Sequence, residues 1–213
     1  MFLCYHKNAA DAYVYADYGY RFLKGQEKMN KKKLLIVVDM QNDFINGALG
    51  SPEAAAIVSN VAKKIEEARA NNDFIIFTQD THYDDYMETE EGKNLPVPHC
   101  IKNTEGWAIN SQLNVPLEAD VIEKTTFGAY NMGLSLASFY ENKVDSIELV
   151  GLCTDICVLS NAVIAKSACP NSHVAVDAAC CAGVTPESHD TALAAMKAIQ
   201  VEILNQGQEP WRK

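Results

Sequence analysis

The sequence predicts one α/β domain built on a doubly wound, Rossmann-like parallel sheet with helices on both faces. Its 213 residues suit a single domain that can cover a sheet on both sides. Short apolar runs alternate with longer segments of helical periodicity, which is the pattern of strand–helix–strand units in a parallel sheet. No internal repeat, low-complexity tract or linker divides residues 31–213.

The first half of the domain contains two predicted buried strands and a long helix. Residues 33–38 form a continuous apolar run typical of a central parallel strand, and this run ends at Asp39. Residues 52–71 are amphipathic, and Ser51 before a proline is a typical start of a helix. A second apolar strand is predicted at residues 73–78.

The second half continues the alternation. Strands are predicted at residues 119–123, 146–150, 172–176 and 201–204, and helices at residues 132–141, 155–168 and 185–199. Lys124 follows the first of these strands, Gly151 closes the second, and Asp177 follows the third. Thr154 is a typical N-cap for the helix after Gly151.

Cys157 stands in the first turn of that helix, directly after a buried strand. A free cysteine is commonly just a small buried hydrophobe, but helix N-termini favour thiolates, with pKa values of roughly 3.5–7.5 instead of about 8.5. Asp39 and Lys124 also follow strand ends, and ligands of open α/β sheets bind outside those ends. An acid, a base and a thiol in one crevice predict a nucleophile with its proton acceptor.

Asp80 and His82 follow the strand at residues 73–78. An Asp-x-His pair can offer an oxygen and an imidazole nitrogen to one metal ion. Taken alone, a short acidic loop with one histidine is more commonly a solvated turn.

Three segments in order carry a family resemblance: VVDMQNDF at residues 37–44, EKTTF at residues 123–127 and GLCTDICV at residues 151–158. They resemble the signatures of the isochorismatase-like cysteine hydrolases, and most closely those of the nicotinamidase/pyrazinamidase branch. The similarity extends from about Lys33 to Leu204, and three ordered motifs are far more specific than one.

The resemblance implies a cysteine-dependent amidohydrolase that converts nicotinamide to nicotinate and ammonia through a thioester. The family's catalytic aspartate falls on Asp39, its lysine on Lys124 and its nucleophile on Cys157. The backbone amides of Cys153 and Cys157 would form the oxyanion hole. A cis peptide bond would join Leu152 to Cys153.

The resemblance also implies a divalent metal ion, which would be Zn, Mn or Fe. Its ligands would be Asp80, His82, Glu91 and His99. For the third of these ligands, Glu88 and Glu90 are alternatives to Glu91.

Aromatic side chains near the motifs are candidate walls for a flat substrate. They are Phe44, Phe127 and Tyr130, with Trp107 as a further candidate, although each is equally typical of an ordinary core. The family has an aromatic residue three positions before the last metal-binding histidine, where this chain has Pro96. Substrate identity is therefore less strongly predicted than the chemistry.

Composition restricts the function classes. The formal net charge of −10, from 28 acidic and 18 basic residues, argues against nucleic acid or an anionic membrane as the main partner. No segment has the roughly 18 consecutive apolar residues of a membrane span. The 7 cysteines lack the spacing of a disulfide framework and indicate reduced thiols in a cytoplasmic protein. A zinc site made of Cys153, Cys157, Cys180 and Cys181 lacks a convincing ligand pattern.

Residues 1–30 are rich in tyrosine and have no assigned role. They do not resemble a signal peptide. We expect either an added helix at residues 9–23 or a true start at Met29.

The expected partner is a small-molecule amide, and a homo-oligomer is compatible with the sequence. Two other functions stay open at this stage. One is a related hydrolase that acts on a carbamoyl or small aliphatic amide. The other is a catalytically silent binding partner that keeps the fold.

Overall fold

A computed structural model describes residues 32–141 and 143–212 of the chain. The expectations for residues 1–30, a helix at residues 9–23 or a start at Met29, lie outside these ranges. Within the described ranges, no helix combines the length and the apolar character that crossing a membrane requires.

Six parallel strands form one sheet. They are β1 (Lys32–Val38), β2 (Phe74–Asp80), β3 (Asp120–Lys124), β4 (Val144–Leu152), β5 (His173–Ala182) and β6 (Glu202–Leu204). Their order across the sheet is β3-β2-β1-β4-β5-β6. The chain therefore adds strands on one side of β1 and then returns to place β4 on the other side. Such a reversal opens a crevice beyond the carboxyl ends of β1 and β4.

Helices cover both faces of the sheet, as predicted. They are α1 (Asn42–Ile45), α2 (Pro52–Ala70), α3 (Glu90–Asn94), α4 (Tyr130–Ser135), α5 (Leu159–Ala168) and α6 (Pro186–Ala198). Alternate residues of β1 belong to two separate cores, since successive side chains of a strand point to opposite faces. Leu35 and Val37 pack with α2, whereas Leu34 and Ile36 pack with α4, α5 and α6.

The sequence signals for helix starts are confirmed at two positions. The Ser51 hydroxyl accepts a hydrogen bond from the Ala54 amide at 3.0 Å and caps α2. Thr185 caps α6, where its side chain and that of Ser188 form a reciprocal capping box. Helices α2 and α6 thus each begin at a residue whose side chain replaces a missing backbone partner.

Strands β2 and β4 each run two residues beyond their predicted carboxyl ends, so Gly151 lies within β4, and three further elements differ more. Strand β5 continues to Ala182 beyond its predicted end at Asp177, because the Lys64 ammonium lies 2.8 Å from the Asp177 carboxylate and stabilises it inside the fold. The predicted helix at residues 132–141 is α4 followed by a π-helical turn at Leu136–Tyr140. The helix after β4 also begins with a π-helical turn, Thr154–Val158, whose N-cap is Cys153 and not Thr154.

The connection between β4 and this second π-helical turn brings two backbones into close contact. Gly151 has a φ of +121°, and a Cβ atom there would lie 2.1 Å from the Val38 carbonyl oxygen. Only glycine fits this position. The following peptide bond, between Leu152 and Cys153, is cis. The end of β4 therefore lies directly against the end of β1, next to Asp39.

Candidate active site

Asp39, Lys124 and Cys157 come together at the carboxyl edge of the sheet, and we call them the catalytic cluster. The Lys124 Nζ atom lies 2.8 Å from Asp39 Oδ2 and 3.5 Å from Cys157 Sγ. Lys124 ends β3, two strands away from β1, and its long side chain reaches across the end of β2. All three residues are at least 94% buried, with exposed fractions of 0%, 6% and 6%.

The two carboxylate oxygens of Asp39 have different surroundings. Its Oδ1 atom accepts a hydrogen bond from the Thr78 hydroxyl at 2.7 Å. Its Oδ2 atom is buried and has the Lys124 ammonium beside it but no hydrogen bond of good geometry. Asp39 also has a φ of +48°, a left-handed conformation that is uncommon for a residue other than glycine. Asp39 thus keeps one oxygen available to accept a proton.

Burial and neighbouring charges decide the protonation states of the catalytic cluster. Burial raises the pKa of Asp39, while Lys124 and the Thr78 hydroxyl oppose that rise. Burial also raises the pKa of Cys157, and the nearby Asp39 carboxylate adds to the effect. Burial disfavours the Lys124 ammonium, but the charges around it outweigh this and keep its pKa well above the usual value. The resting thiol is therefore neutral.

The neutral thiol differs from the thiolate that the helix start predicts. Cys157 lies in a π-helical turn with a buried carboxylate beside it. The amides of one turn contribute only a partial positive charge, which cannot offset burial together with a full negative charge. The thiol consequently needs a base to deprotonate it, and Asp39 is the base within reach.

Asp80, His82, Glu91 and His99 form a second group beside the first, which we call the histidine cluster. Asp80 Oδ2 lies 2.9 Å from His82 Nε2 and 3.5 Å from His99 Nε2. Glu91 Oε1 lies 3.7 Å and 3.8 Å from the same two nitrogens. The other oxygen of Asp80 accepts a hydrogen bond from Lys124 at 3.0 Å. Asp80 is therefore shared between the two clusters.

The histidine cluster has the chemistry of a cation site. His82 Nε2 is fully buried but has no hydrogen bond, although Asp80 lies close to it. One ligand atom each from Asp80, His82 and His99 lies within 4.8 Å of the others. Burial disfavours the Asp80 carboxylate, yet the two histidines and Lys124 hold its pKa well below the usual value. Two imidazoles and a carboxylate in this arrangement suit Zn, Mn or Fe.

The three candidate glutamates occupy different environments. Only Glu91 is within 4 Å of both histidines, and its side chain is 21% exposed. The Glu90 side chain is 86% exposed and lies 4.0 Å from the Lys93 ammonium. Glu88 is exposed as well. The geometry thus places Glu91, and neither alternative, at the histidine cluster.

Residues outside the predicted set orient the histidine cluster. The Val97 carbonyl lies 2.8 Å from His99 Nδ1, so that His99 Nε2 faces the cluster. The Tyr86 ring contacts the edges of both imidazoles, with centroid distances of 4.7 Å to His82 and 5.1 Å to His99. The Gln41 side chain forms two hydrogen bonds with the backbone of Asp80, at 2.7 Å and 2.8 Å.

Both clusters open into one cleft of about 1030 Å³. Phe44 and Phe127 line it, together with Cys153 and Cys157. Tyr130 is 70% exposed and lines a separate cavity, so it is not a wall of this cleft. Trp107 is also outside the cleft lining, and its indole donates a hydrogen bond to Thr81.

The charges in the cleft are mainly negative. Its acidic residues are Asp80, Asp85, Glu90 and Glu91. Among the described residues that line the cleft, there is no lysine or arginine. Lys124 lies beneath the thiol, engaged by two carboxylates. The described part of the cleft lining therefore offers an anionic ligand no lysine or arginine side chain.

The alternative zinc site made of cysteines is not supported. In the described ranges, the groups of side chains close enough to share a metal ion contain histidine, aspartate and glutamate but no cysteine. Cys180 and Cys181 are buried within β5.

Known proteins resemble this chain in sequence and fold. Residues 33–208 match the family description "Isochorismatase domain". The nicotinamidase/pyrazinamidase of Mycobacterium tuberculosis is 29% identical over 185 residues, covering 81% of this chain and 98% of that protein.

Solved structures agree with the sequence match. The pyrazinamidase of Pyrococcus horikoshii in complex with zinc has a TM-score of 0.71 and 28% identity, covering 81% of this chain and 98% of that chain. The N-carbamoylsarcosine amidase of Thermoplasma acidophilum has a TM-score of 0.68 and 25% identity, covering 85% and 98%. The family match spans most of the domain and includes both clusters, and the chain therefore belongs to the isochorismatase family.

Proposed function

We propose that this amidohydrolase converts nicotinamide to nicotinate and ammonia. The observation that carries the proposal is the joining of the two clusters through Asp80 within one cleft. A carboxamide at Cys157 would then place an attached ring toward the histidine cluster. The similarity to a nicotinamidase/pyrazinamidase and to a pyrazinamidase in complex with zinc supports this assignment.

The reaction would begin with proton transfer from the Cys157 thiol to Asp39 Oδ2, the oxygen without a hydrogen bond. The sulfur then attacks the carboxamide carbon, and the backbone amides of Cys153 and Cys157 stabilise the oxyanion. Loss of one such donor typically costs about 10²–10³ in turnover. Asp39 returns its proton to the departing amine, which leaves as ammonia, and a thioester remains on Cys157.

Hydrolysis of the thioester uses the same carboxylate. Asp39 takes a proton from a water molecule, the hydroxide attacks the thioester carbon, and the thiol leaves with that proton. Lys124 remains charged throughout, so it holds Asp39 in place and offsets negative charge that develops near the sulfur.

The histidine cluster would hold a divalent ion through Asp80, His82, Glu91 and His99. This fit rests on the buried His82 nitrogen without a hydrogen bond and on the converging carboxylates. A bound ion would supply a Lewis-acid contact for a ring nitrogen or a water molecule. Phe44 and Phe127 would then pack against the ring and orient it.

The charge of the cleft favours nicotinamide over the main alternative within the family. N-carbamoyl amino acids carry a carboxylate, and a buried carboxylate needs a cationic partner. Among the described residues of the cleft lining there is no lysine or arginine to pair with that carboxylate, and four side chains are acidic, so its cationic partner would have to be the metal ion itself. A neutral aromatic amide is therefore the better fit.

Ammonia release from a panel of amides tests the proposal. Nicotinamide and pyrazinamide should be hydrolysed. Benzamide has the same shape without the ring nitrogen, and we expect kcat/KM at least about a hundredfold lower because a specific polar contact is lost. Release of ammonia from an N-carbamoyl amino acid but not from nicotinamide would refute the substrate and leave the cysteine chemistry in place.

A further inference from the structure

A buried chain of polar side chains lies behind the π-helical turn that carries Cys157. Thr154 begins this turn and is 0% exposed. Its hydroxyl lies 2.8 Å from Nδ1 of His189, which is also 0% exposed and belongs to α6. Neither residue takes part in the chemistry described above. Two fully buried polar groups nevertheless meet directly behind the nucleophile.

The C-terminal segment at residues 206–212 closes over the other side of His189. His189 Nε2 lies 3.3 Å from Glu209, which is 3% exposed. Arg212 donates hydrogen bonds to Glu209 and Asp190, so both carboxylates are engaged. The Trp211 ring packs edge-on against the imidazole at 5.1 Å, and its indole donates to the Cys181 carbonyl at 3.2 Å.

These contacts specify one tautomer of His189. Burial lowers its pKa, which keeps the imidazole neutral. Burial disfavours the Glu209 carboxylate, but Arg212 outweighs it and holds the pKa of Glu209 below the usual value. The neutral ring therefore donates its Nε2 hydrogen to Glu209 and accepts the Thr154 hydroxyl hydrogen at Nδ1.

The π-helical turn depends on such outside anchors. Its N-cap, Cys153, makes no side-chain capping hydrogen bond. Asp155 is tied to the same region, since its carboxylate accepts a hydrogen bond from the Val184 amide at 3.1 Å. On the other side, Asn161 donates to the Cys157 carbonyl at 2.9 Å. The position of the thiol is thus set partly by groups outside the catalytic cluster.

We infer that His189 is a positioning residue for Cys157, acting through Thr154 and held in place by Glu209 and the C-terminal segment. The inference rests on the proposed function only in taking Cys157 as the nucleophile. Spacing alone would also allow His189, Asp190 and Glu209 to hold a metal ion. Arg212 already neutralises both carboxylates, so these residues fit a hydrogen-bonded support for Thr154 better than a metal site.

Paired substitutions at both ends of the hydrogen bond test the inference. Thr154→Val keeps the shape and removes the hydroxyl, whereas Thr154→Ser keeps the hydroxyl. His189→Asn keeps an acceptor near the Nδ1 position, whereas His189→Gln places its amide near the Nε2 position, away from the Thr154 hydroxyl. We expect Thr154→Val and His189→Gln to lower kcat about tenfold with little change in KM. Thr154→Ser and His189→Asn, which keep the hydrogen bond, should have a kcat close to that of the wild type.

Alkylation of Cys157 by iodoacetamide gives a second readout that needs no amide substrate. Its rate, followed on the Cys157 peptide by mass spectrometry, should fall in Thr154→Val and recover in Thr154→Ser. Ser172→Ala is the control, because it removes another buried hydroxyl, which donates to the Val144 carbonyl and is outside the cleft lining. It should change neither kcat nor alkylation.

Wild-type kcat and wild-type alkylation in both Thr154→Val and His189→Gln would overturn the inference. A lower melting temperature without any change in kcat or alkylation would overturn it too, because the hydrogen bond between Thr154 and His189 would then support only the stability of the fold. If the wild-type protein releases no ammonia from nicotinamide while alkylation still falls in Thr154→Val, the inference stands and the proposed substrate fails.

Discussion

The catalytic cluster and the histidine cluster share Asp80 but are built in different ways. Asp39 and Lys124 lie at strand ends, where the sheet holds the backbone, and the ammonium contacts its partners at 2.8–3.5 Å. His82, Glu91 and His99 lie on loops or a short helix, and most of their contacts are 3.5–3.8 Å. The catalytic cluster is tightly paired, whereas the histidine cluster is more loosely joined.

Charge explains this difference. In the catalytic cluster, one ammonium is paired with the Asp39 carboxylate and a neutral thiol, so the group is balanced without any added ion. In the histidine cluster, two carboxylates face two imidazole nitrogens that make no close pairs with Glu91. A cation would satisfy all four groups at once. We therefore expect the first cluster to be preformed and the second to be completed by binding.

Replacing the nucleophile should have the largest effect and tests the catalytic cluster directly. Cys157→Ala removes the sulfur that would form the proposed thioester, and we expect turnover to fall by at least about 10³-fold. The melting temperature should change little, because the side chain removed is small. Steady-state ammonia release and thermal unfolding measure the two effects.

Cys153→Ala is the matched control, since Cys153 lines the same cleft and would contribute only its backbone amide. Its turnover should stay within severalfold of the wild type. Substantial activity in Cys157→Ala, or equal losses in both variants, would contradict the assignment of the nucleophile.

Metal content tests the histidine cluster. Wild-type protein should bind about one divalent ion per chain, and Glu91→Ala should weaken that binding at least about tenfold. Glu90→Ala is the control, because its side chain is 86% exposed and lies 4.0 Å from the Lys93 ammonium, and Glu91 is the neighbouring residue within 4 Å of both histidines. His82→Ala should lower metal content as well. Elemental analysis with equal metal content in all these proteins would exclude this ligand set.

Patterns along the chain were sufficient for the sheet and for the residues at strand ends. Asp39, Lys124 and Cys157 each follow or end a strand, and parallel strands bring such positions to one edge. Apolar periodicity predicts α2 and α6, and their capping residues indicate where each of these helices begins. The sequence predicts too early an end for strand β5, because an aspartate such as Asp177 normally marks the end of a buried strand. The sequence does not show that Lys64 pairs with this carboxylate.

Contacts between distant segments could not be predicted in the same way. Tyr86 and Gln41 orient the histidine cluster, but neither stands in a pattern that indicates metal chemistry. Tyr130 was predicted as a wall because it follows a motif, yet it begins a helix and is exposed outside the cleft. The protonated thiol likewise depends on the burial of Cys157 beside Asp39, which the chain brings together from two strands.

Removing the Thr78 hydroxyl, which donates to Asp39, should lower activity less and also tests the catalytic cluster. Thr78→Val deletes a buried hydrogen bond to the carboxylate, and we expect kcat/KM to fall about tenfold. That hydrogen bond lowers the pKa of Asp39, so its loss should raise this pKa further. In the proposed mechanism Asp39 accepts a proton and must be ionised, so the acid limb of the pH profile should move to higher pH. Thr78→Ser should keep the wild-type pH profile. An unchanged acid limb in Thr78→Val would exclude Asp39 as the group whose ionisation produces that limb.

The smallest expected effect concerns the wall of the cleft that both clusters share. Phe127 lines the cleft and is 49% exposed, so Phe127→Ala should remove ring contact and raise KM for nicotinamide a few fold with little change in kcat. Tyr130→Ala is the matched control, because Tyr130 is 70% exposed and lies outside the cleft lining. It should leave KM unchanged. A larger rise in KM for Tyr130→Ala than for Phe127→Ala would mean that the ring binds on the other side of the loop that joins β3 to α4.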